Sequence, residues 1–477
     1  MSDNWKQTPL LRAAKEGNDA AAKLLLKRED VDPNMTDTGG RTPLSWAAKY
    51  ARYGVMKLLL GQKDIDPNIA DIGGRTPLSW AANHRHEAVK LLLEQKDINP
   101  NMADRNGRTP LSWAAQNGCD EVVKLLLERE DVNPNSQDND GRTPLWWAAM
   151  RNSDRVVRLL IDSEDVNLNI SDTSGETPLF GAAYWGYYDV VRLLLEREDV
   201  TTDTENVLGE TPLMMAANRG SLRLMKLLLG REDVNPNMVD KYGQTPLLRA
   251  AERGHDALVK LLLDREDVTP NIPDCNGQTA LAAAAKFGCD GVVKLLLGHQ
   301  NVNRNIPDKS GRTPLLWAAA NGSDGVIQLL LRQEDVNPNM TDIGGRTPLS
   351  LAAYNGYDGI VKLLLGQKDV NPNIADIERR TPLSWAANYG RYGIAKLLLG
   401  RKDVDPNMAD RGGRTPLSWA ADYGYNEVVL LLLGQEAVNP NIPDHDGRTP
   451  LWWASRSGHE RVVNLLHAHQ SANPNEV

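Results

Sequence analysis

With 477 residues, 41% of them hydrophobic and 25% charged, the chain has the composition of a soluble protein, and apolar runs such as Val428 to Leu433 fall far short of the ~20 residues a bilayer span needs. A net charge of −9 argues against a general nucleic-acid binder, whose surface is usually basic. Three cysteines without the spacing of a disulfide framework, and an N-terminus lacking the apolar core of a signal peptide, point to the cytoplasm, with the nucleus as the alternative.

Length alone suggests about three domains at roughly 150 residues each. Instead the phrase Thr-Pro-Leu-x-x-Ala-Ala, or a close variant, recurs fourteen times with a period of 34 residues, from Thr8 to Thr449. A unit this short cannot bury its own apolar face, so neighbours must stack and the chain is one solenoid. The expected fold is all-α, with about fourteen helix-turn-helix repeats. Residues 1–36 read as an N-terminal cap repeat, 37–171 as an Arg/Trp-rich arm and 172–307 as a divergent centre; 308–443 form a second Arg/Trp-rich arm and 444–477 a C-terminal cap repeat.

In the fourth copy, Thr109 reads as an N-cap and Pro110 as the first helical residue, where a missing N–H costs nothing. Gly118 suits a left-handed C-cap after about two turns. Asp120 reads as the cap of a second helix, whose residues from Val122 to Leu127 form a broad apolar stripe. Asp131-Val-Asn-Pro-Asn135 and the Asp-x-x-Gly segment after it carry turn chemistry. Irregularities follow in chain order. The polar stretch Lys15 to Asp19 suits an end repeat, and the third repeat is one residue short between its helices, at Asn83 to Glu87. The junction 201–208 has lost its Pro-Asn turn and is where a change of superhelix geometry is expected. Arg379 stands in a finger-glycine slot of the twelfth repeat, and His467 interrupts the last leucine triplet. Polar ends are what an autonomous stack requires, so the array reads as complete, with an effector domain outside it as the alternative.

The run from Asp104 to Gly118, followed by the helix Val122 to Leu127, resembles the ankyrin repeat, and the resemblance covers the full chain. Two departures are systematic. The family's histidine after Leu is absent, most often replaced by serine (Ser45, Ser79, Ser112, Ser350, Ser384, Ser418), which removes an inter-repeat histidine hydrogen bond. Beyond the second helix, Glu-Asp or Lys-Asp before Val-Asn-Pro-Asn replaces the family's glycine. This variant is similar to arrays in fungal proteins, including the sensor ends of fungal NOD-like receptors. The resemblance implies a curved stack with β-turn fingers and a concave groove lined by the first helices, where partners usually bind. It also implies a non-catalytic protein-protein interaction scaffold; the ligand-sensing end of a larger receptor is the alternative.

Stepping about 100° per residue from Leu44 places Ala47 and Ala48 beside it and Trp46 on the far side. The same slot holds Trp80, Trp113, Trp147, Trp317, Trp385, Trp419 and Trp453, so eight tryptophans are expected to face away from the core. Four residues on, the same face carries Tyr50, Tyr389 and Tyr423. Trp185 and Phe287 occupy that later slot where the first one is Gly181 or Ala283, as if in compensation. The residue before Thr-Pro forms a parallel row. It reads Arg41, Arg75, Arg108, Arg142, then Glu176, Glu210, Gln244, Gln278, then Arg312, Arg346, Arg380, Arg414, Arg448. Packing or simple duplication would also produce such rows, with Arg stacked on Trp. The length of the aromatic strip, and the weight of Trp and Arg in interface hot spots, favour a partner-binding surface.

Rungs about 10 Å apart match three residues of an extended strand. The expected partner is therefore a protein or extended, acidic peptide, its carboxylates or phosphates held by the arginines. Single-stranded nucleic acid fits less well, because stacked bases lie closer than the rungs. The eight histidines occupy turns, finger loops and helix-end slots without recurrent partners at metal spacing. Neither a phosphate loop nor a nucleophile elbow is present. No enzyme, metal or cofactor is expected, and the chain is expected to be a monomer, self-association being the alternative.

Overall fold

The computed structural model describes residues 8–472. Among them each repeat supplies two helices, twenty-eight in all, and no strand. All fourteen first helices begin at a threonine whose hydroxyl accepts the N–H three residues on, satisfying a donor the helix cannot. Proline follows in every repeat but the ninth, where Ala280 takes its place. The shortened third repeat has a first helix of only five residues, Pro77–Ala81, and His84 adopts the left-handed conformation (φ 73°) that Gly118 supplies elsewhere. The second helix of the fourth repeat is Asp120–Leu127. Asp120 does not cap it: Cys119 stands at the cap without a side-chain bond, and the Asp120 carboxylate instead accepts the Glu121 N–H within the first turn, where negative charge suits the helix dipole. The core lies between the helices. In the fourth repeat Leu111, Ala114, Ala115, Val122, Val123 and Leu126 are at most 1% exposed.

Two hydrogen-bonded ladders tie neighbours together. Along the fingers, Arg105 N–H donates to Gly73 C=O at 2.8 Å and Asn139 N–H to Asn106 C=O at 2.9 Å. The approach demands glycine: at Gly107 (φ 80°) a Cβ would lie 2.7 Å from the Asn139 nitrogen. Below the second helices, the last Asn of the turn that ends Pro-Asn bridges to the next repeat, as Asn101, Asn135, Asn339 and Asn373 do. Asn101 Nδ2 donates to Asp131 C=O at 2.6 Å, and its Oδ1 accepts the Asn133 N–H at 2.8 Å. The serines that replace the family histidine stay within their own cap, as in Ser112 Oγ to Thr109 Oγ1 at 3.1 Å. These ladders supply polar ties between repeats in its place.

The finger ladder runs unbroken through the junction 201–208, where Val207 N–H donates to Ser174 C=O at 2.8 Å. What changes there is the asparagine ladder. Asp203 takes the asparagine's place and still accepts the Asn235 N–H at 2.8 Å, but its Oδ1 is buried without a partner, where the amide of an asparagine would donate to a carbonyl. Burial pushes the Asp203 carboxyl above the usual range, the Asn235 bond lowers it and the Asp233 charge raises it again. An acid whose pKa is raised on folding loses its contribution to stability as pH climbs from the unfolded value through the folded one. Asp203→Asn is therefore expected to stabilise the protein by about 1 kcal/mol at neutral pH, and thermal melts should show the gain shrinking as the solution is acidified and Asp203 itself becomes a donor. The chain divides into two compact units, Met1–Lys241 and Tyr242–Val477; the division falls within the divergent centre, beyond the junction at 201–208.

Candidate functional site

The finger aspartate, nine residues ahead of each slot tryptophan, decides where the indole goes. In the fourth repeat Asp104 Oδ1 accepts the N–H groups of Asn106 and Arg108, at 2.9 and 3.0 Å, and so closes the finger turn. Its Oδ2 accepts the Trp113 indole N–H at 3.1 Å. The same bond recurs at 2.9–3.1 Å from Trp46 to Asp37, Trp80 to Asp71, Trp147 to Asp138, Trp317 to Asp308, Trp385 to Asp376, Trp419 to Asp410 and Trp453 to Asp444. The expected exposure of these rings is thereby corrected. Trp46, Trp147, Trp385 and Trp453 are 3–7% exposed, and Trp80, Trp113, Trp317 and Trp419 are half-buried. The helical wheel describes one helix, whereas the finger folds back over the side it leaves open.

The arginine row completes this brace. Guanidiniums lie over tryptophan rings with 3.5–5.3 Å to the centroids, and several reach the next repeat, as Arg75 over Trp113 at 3.7 Å and Arg414 over Trp453 at 3.5 Å. They also face finger carboxylates. Arg41, Arg346, Arg380 and Arg448 pair within their own repeat at 2.7–3.4 Å. Arg75, Arg108, Arg142 and Arg312 lie 3.8–3.9 Å from the aspartate of the following one. An acidic partner would compete with these internal carboxylates for every guanidinium.

The slot four residues later behaves differently. Tyr50, Trp185, Phe287, Tyr389 and Tyr423 are 39–52% exposed. Three of them lie nearly parallel to the slot indole behind them, Trp46 with Tyr50 at 5.6 Å, Trp385 with Tyr389 at 6.0 Å and Trp419 with Tyr423 at 6.2 Å. Tyr354 joins this surface, edge-on to Trp385 and Tyr389 at 5.0 Å. Sequence reasoning missed it because it stands one position earlier; its signal is the one aromatic of the first helix Pro348–Asn355, in a repeat whose tryptophan slot is Leu351.

In the sixth and seventh repeats the brace is rebuilt. Trp185 does not compensate for Gly181, because Met150 from the repeat before fills that space, its Cε 2.1 Å from where a Cβ would sit. Glu176 replaces arginine beside Asp172. Burial pushes its carboxyl up, the Asp172 and Glu210 charges add to this, and Arg142 opposes them. In the seventh repeat Asn206 replaces the finger aspartate, and its Nδ2 donates to Glu210 at 3.0 Å, so the Asp/Arg pair has become an Asn/Glu pair. The three cysteines are free thiols. Cys119 Sγ lies 3.0 Å from His84 Nδ1, a contact created by the short third repeat, and burial pushes the thiol up while the bond to His84 opposes it.

No described helix is long and apolar enough to cross a membrane. A comparison with the curated proteins finds no match. A family model described as ankyrin repeats (3 copies) matches residues 1–71, 66–138, 130–204, 197–274, 266–342, 327–410 and 383–477. With its capped helix pairs, finger ladder and end-to-end family match, the chain belongs to the ankyrin-repeat family, whose arrays are in general protein-protein interaction modules.

Proposed function

We propose that the array is a non-catalytic interaction module that takes a protein or extended peptide along its first-helix face. The carrying observation is the exposure of the later aromatic slot, Tyr50, Trp185, Phe287, Tyr389 and Tyr423, with Arg/Trp/Asp rungs as the floor beneath Tyr50, Tyr389 and Tyr423. The floor supports the reading indirectly. Rings held by a carboxylate and a guanidinium lose little freedom on binding, which is how preorganised surfaces gain affinity. Within Tyr242–Val477, Tyr354, Tyr389 and Tyr423 give three successive repeats an exposed phenol, a side chain that suits peptide backbones because it is apolar on its face and donates at its tip.

A peptide library selected against the full chain tests this. Selected binders are expected to weaken at least about tenfold in the double variant Tyr389→Ala, Tyr423→Ala, the scale of a lost hot spot, and to be indifferent to Lys362→Ala on an exposed second-helix surface. Binders that ignore the tyrosines and respond to Lys362 would move the site to the other face.

A further inference from the structure

Tyr354 stands near the end of the first helix of repeat eleven, Pro348–Asn355. Tyr389 and Tyr423 follow at the C-caps of the next two first helices, Pro382–Asn388 and Pro416–Asp422. All three rings are exposed, and they sort into two units. Tyr354 and Tyr389 meet at 80° with 5.0 Å between centroids, both against the Trp385 indole, so their faces form an angular notch. Tyr423 lies against Tyr425 at 6.0 Å and over Trp419 at 6.2 Å. Tyr389 and Tyr423 hold the same slot in successive repeats, so the two units stand one rung apart, about 10 Å.

What this surface offers is ring face and hydroxyl more than charge. The floor arginines are already matched, Arg346 by Asp342 at 2.7 Å, Arg380 by Asp376 at 3.4 Å and Arg414 by Asp422 at 3.1 Å. Burial pushes the Tyr389 phenol above its ordinary value; Tyr354 and Tyr423 add to this and Arg380 opposes them, so the hydroxyl keeps its proton and donates. A helical face also lacks the free backbone edge with which an added β-strand pairs. The complementary segment therefore has apolar faces, carbonyls in need of donors and few N–H groups in need of acceptors. A polyproline II segment has these properties, because its backbone makes no internal hydrogen bonds and proline carries no N–H. One turn of it, three residues, rises about 9 Å, close to one rung.

We propose that repeats eleven to thirteen bind a proline-rich segment of a partner protein in the polyproline II conformation. Prolines three residues apart lie on one side of such a segment. One packs into the Tyr354/Tyr389 notch and the other on the Tyr423 ring, while the phenols donate to the carbonyls between them. The rings are held in place by one another and by the indoles behind them, so little order has to be gained on binding. The assignment rests on the array being a protein-binding module and names the class of segment that its tyrosines take.

The test uses the full chain and a fluorescently labelled deca-proline peptide with blocked ends, read by anisotropy. Binding is expected to saturate, and to weaken at least about tenfold in Tyr389→Ala/Tyr423→Ala, which removes one ring from each unit. Tyr389→Phe/Tyr423→Phe keeps the faces and loses the donors, and is expected to weaken binding about three- to tenfold. Tyr50→Ala removes an exposed phenol of the same slot in repeat two, where the neighbouring repeats hold Glu16 and His84; it is expected to change binding less than about twofold. Raising salt from about 0.05 to about 0.5 M is expected to leave the affinity within about twofold, since no ion pair forms. A glycine-serine peptide of equal length should not bind. Absence of saturable deca-proline binding to the unmodified chain would overturn the proposal, as would equal weakening by Tyr50→Ala, a steep loss in salt or equal binding of the glycine-serine peptide. Circular dichroism of each variant confirms that the helices are intact. If selected peptides still depend on Tyr389 and Tyr423 while deca-proline fails, only the proline assignment falls.

Discussion

Asp138→Ala is expected to destabilise the array by about 3–5 kcal/mol, because it removes one carboxylate from several donors at once. Asp138 Oδ1 accepts the N–H groups of Asp140 and Arg142 at 3.0 and 2.9 Å, and Oδ2 accepts the Trp147 indole at 3.0 Å. Its charge also faces Arg108 at 3.9 Å. Asp138→Asn separates these parts. Its carbonyl can still close the finger turn, but its amide would point an N–H at the indole N–H, at a cost of about 2 kcal/mol. The seventh repeat supports this arithmetic, since the chain uses asparagine at Asn206 where the tryptophan is absent and Glu210 accepts the amide. Urea unfolding, with hydrogen exchange resolved by repeat, checks both variants; stack stability is a sum of nearest-neighbour terms, so the loss should centre on repeats four and five. Variants that cost the same would mean that the finger-turn bonds contribute nothing, and a costless Asp138→Asn that the indole bond contributes nothing.

The finger carboxylate of the last repeat, Asp444, also sets an acid limit. Burial raises the pKa of Asp444, but hydrogen bonds from the Arg448 backbone and side chain, the Asp446 N–H and the Trp453 indole outweigh it and hold the group below its ordinary value. A depressed acid contributes stability that is fully present above the unfolded pKa and lost as pH falls through the folded one.

Trp147→Ala should cost about 3–5 kcal/mol, the range for emptying a large buried aromatic site, whereas Trp185→Ala, at an exposed ring, should cost less than about 1 kcal/mol. The ring of Trp147 packs edge to face on Trp146 at 5.2 Å and lies under Arg108 at 4.4 Å, so its removal also strands the Asp138 oxygen and the guanidinium. Trp147→Phe keeps most of the apolar volume and loses only the N–H, and should fall between, at about 1–3 kcal/mol. Denaturation midpoints of the three variants decide the matter. A Trp185→Ala cost equal to that of Trp147→Ala would show that both rings are structural and would remove the basis for reading the later slot as a binding surface.

Most of the fold was legible because its rules are local. Thr-Pro starts a helix, a left-handed glycine ends it, and the run from Val122 to Leu127 has one apolar side whatever surrounds it. Asp120 was misread as a cap because acidic residues favour both the cap and the first turn, and only the backbone shows which position is occupied. The asparagine ladder was legible as turn chemistry but not as a tie, since each bond spans about one repeat and joins residues that no local pattern pairs.

The sequence by itself determined the repeat, its caps and the direction of every slot, because helical periodicity fixes where a side chain points relative to its own helix. Only the tertiary structure decided which of those directions are open. The Trp46 slot is closed by a finger from its own repeat and by arginines from its own or the preceding one, while the Tyr50 slot, one helical turn on, lies beyond their reach. Exposure depends on what stands opposite, and in a stacked array that is supplied by segments folding back from elsewhere in the chain.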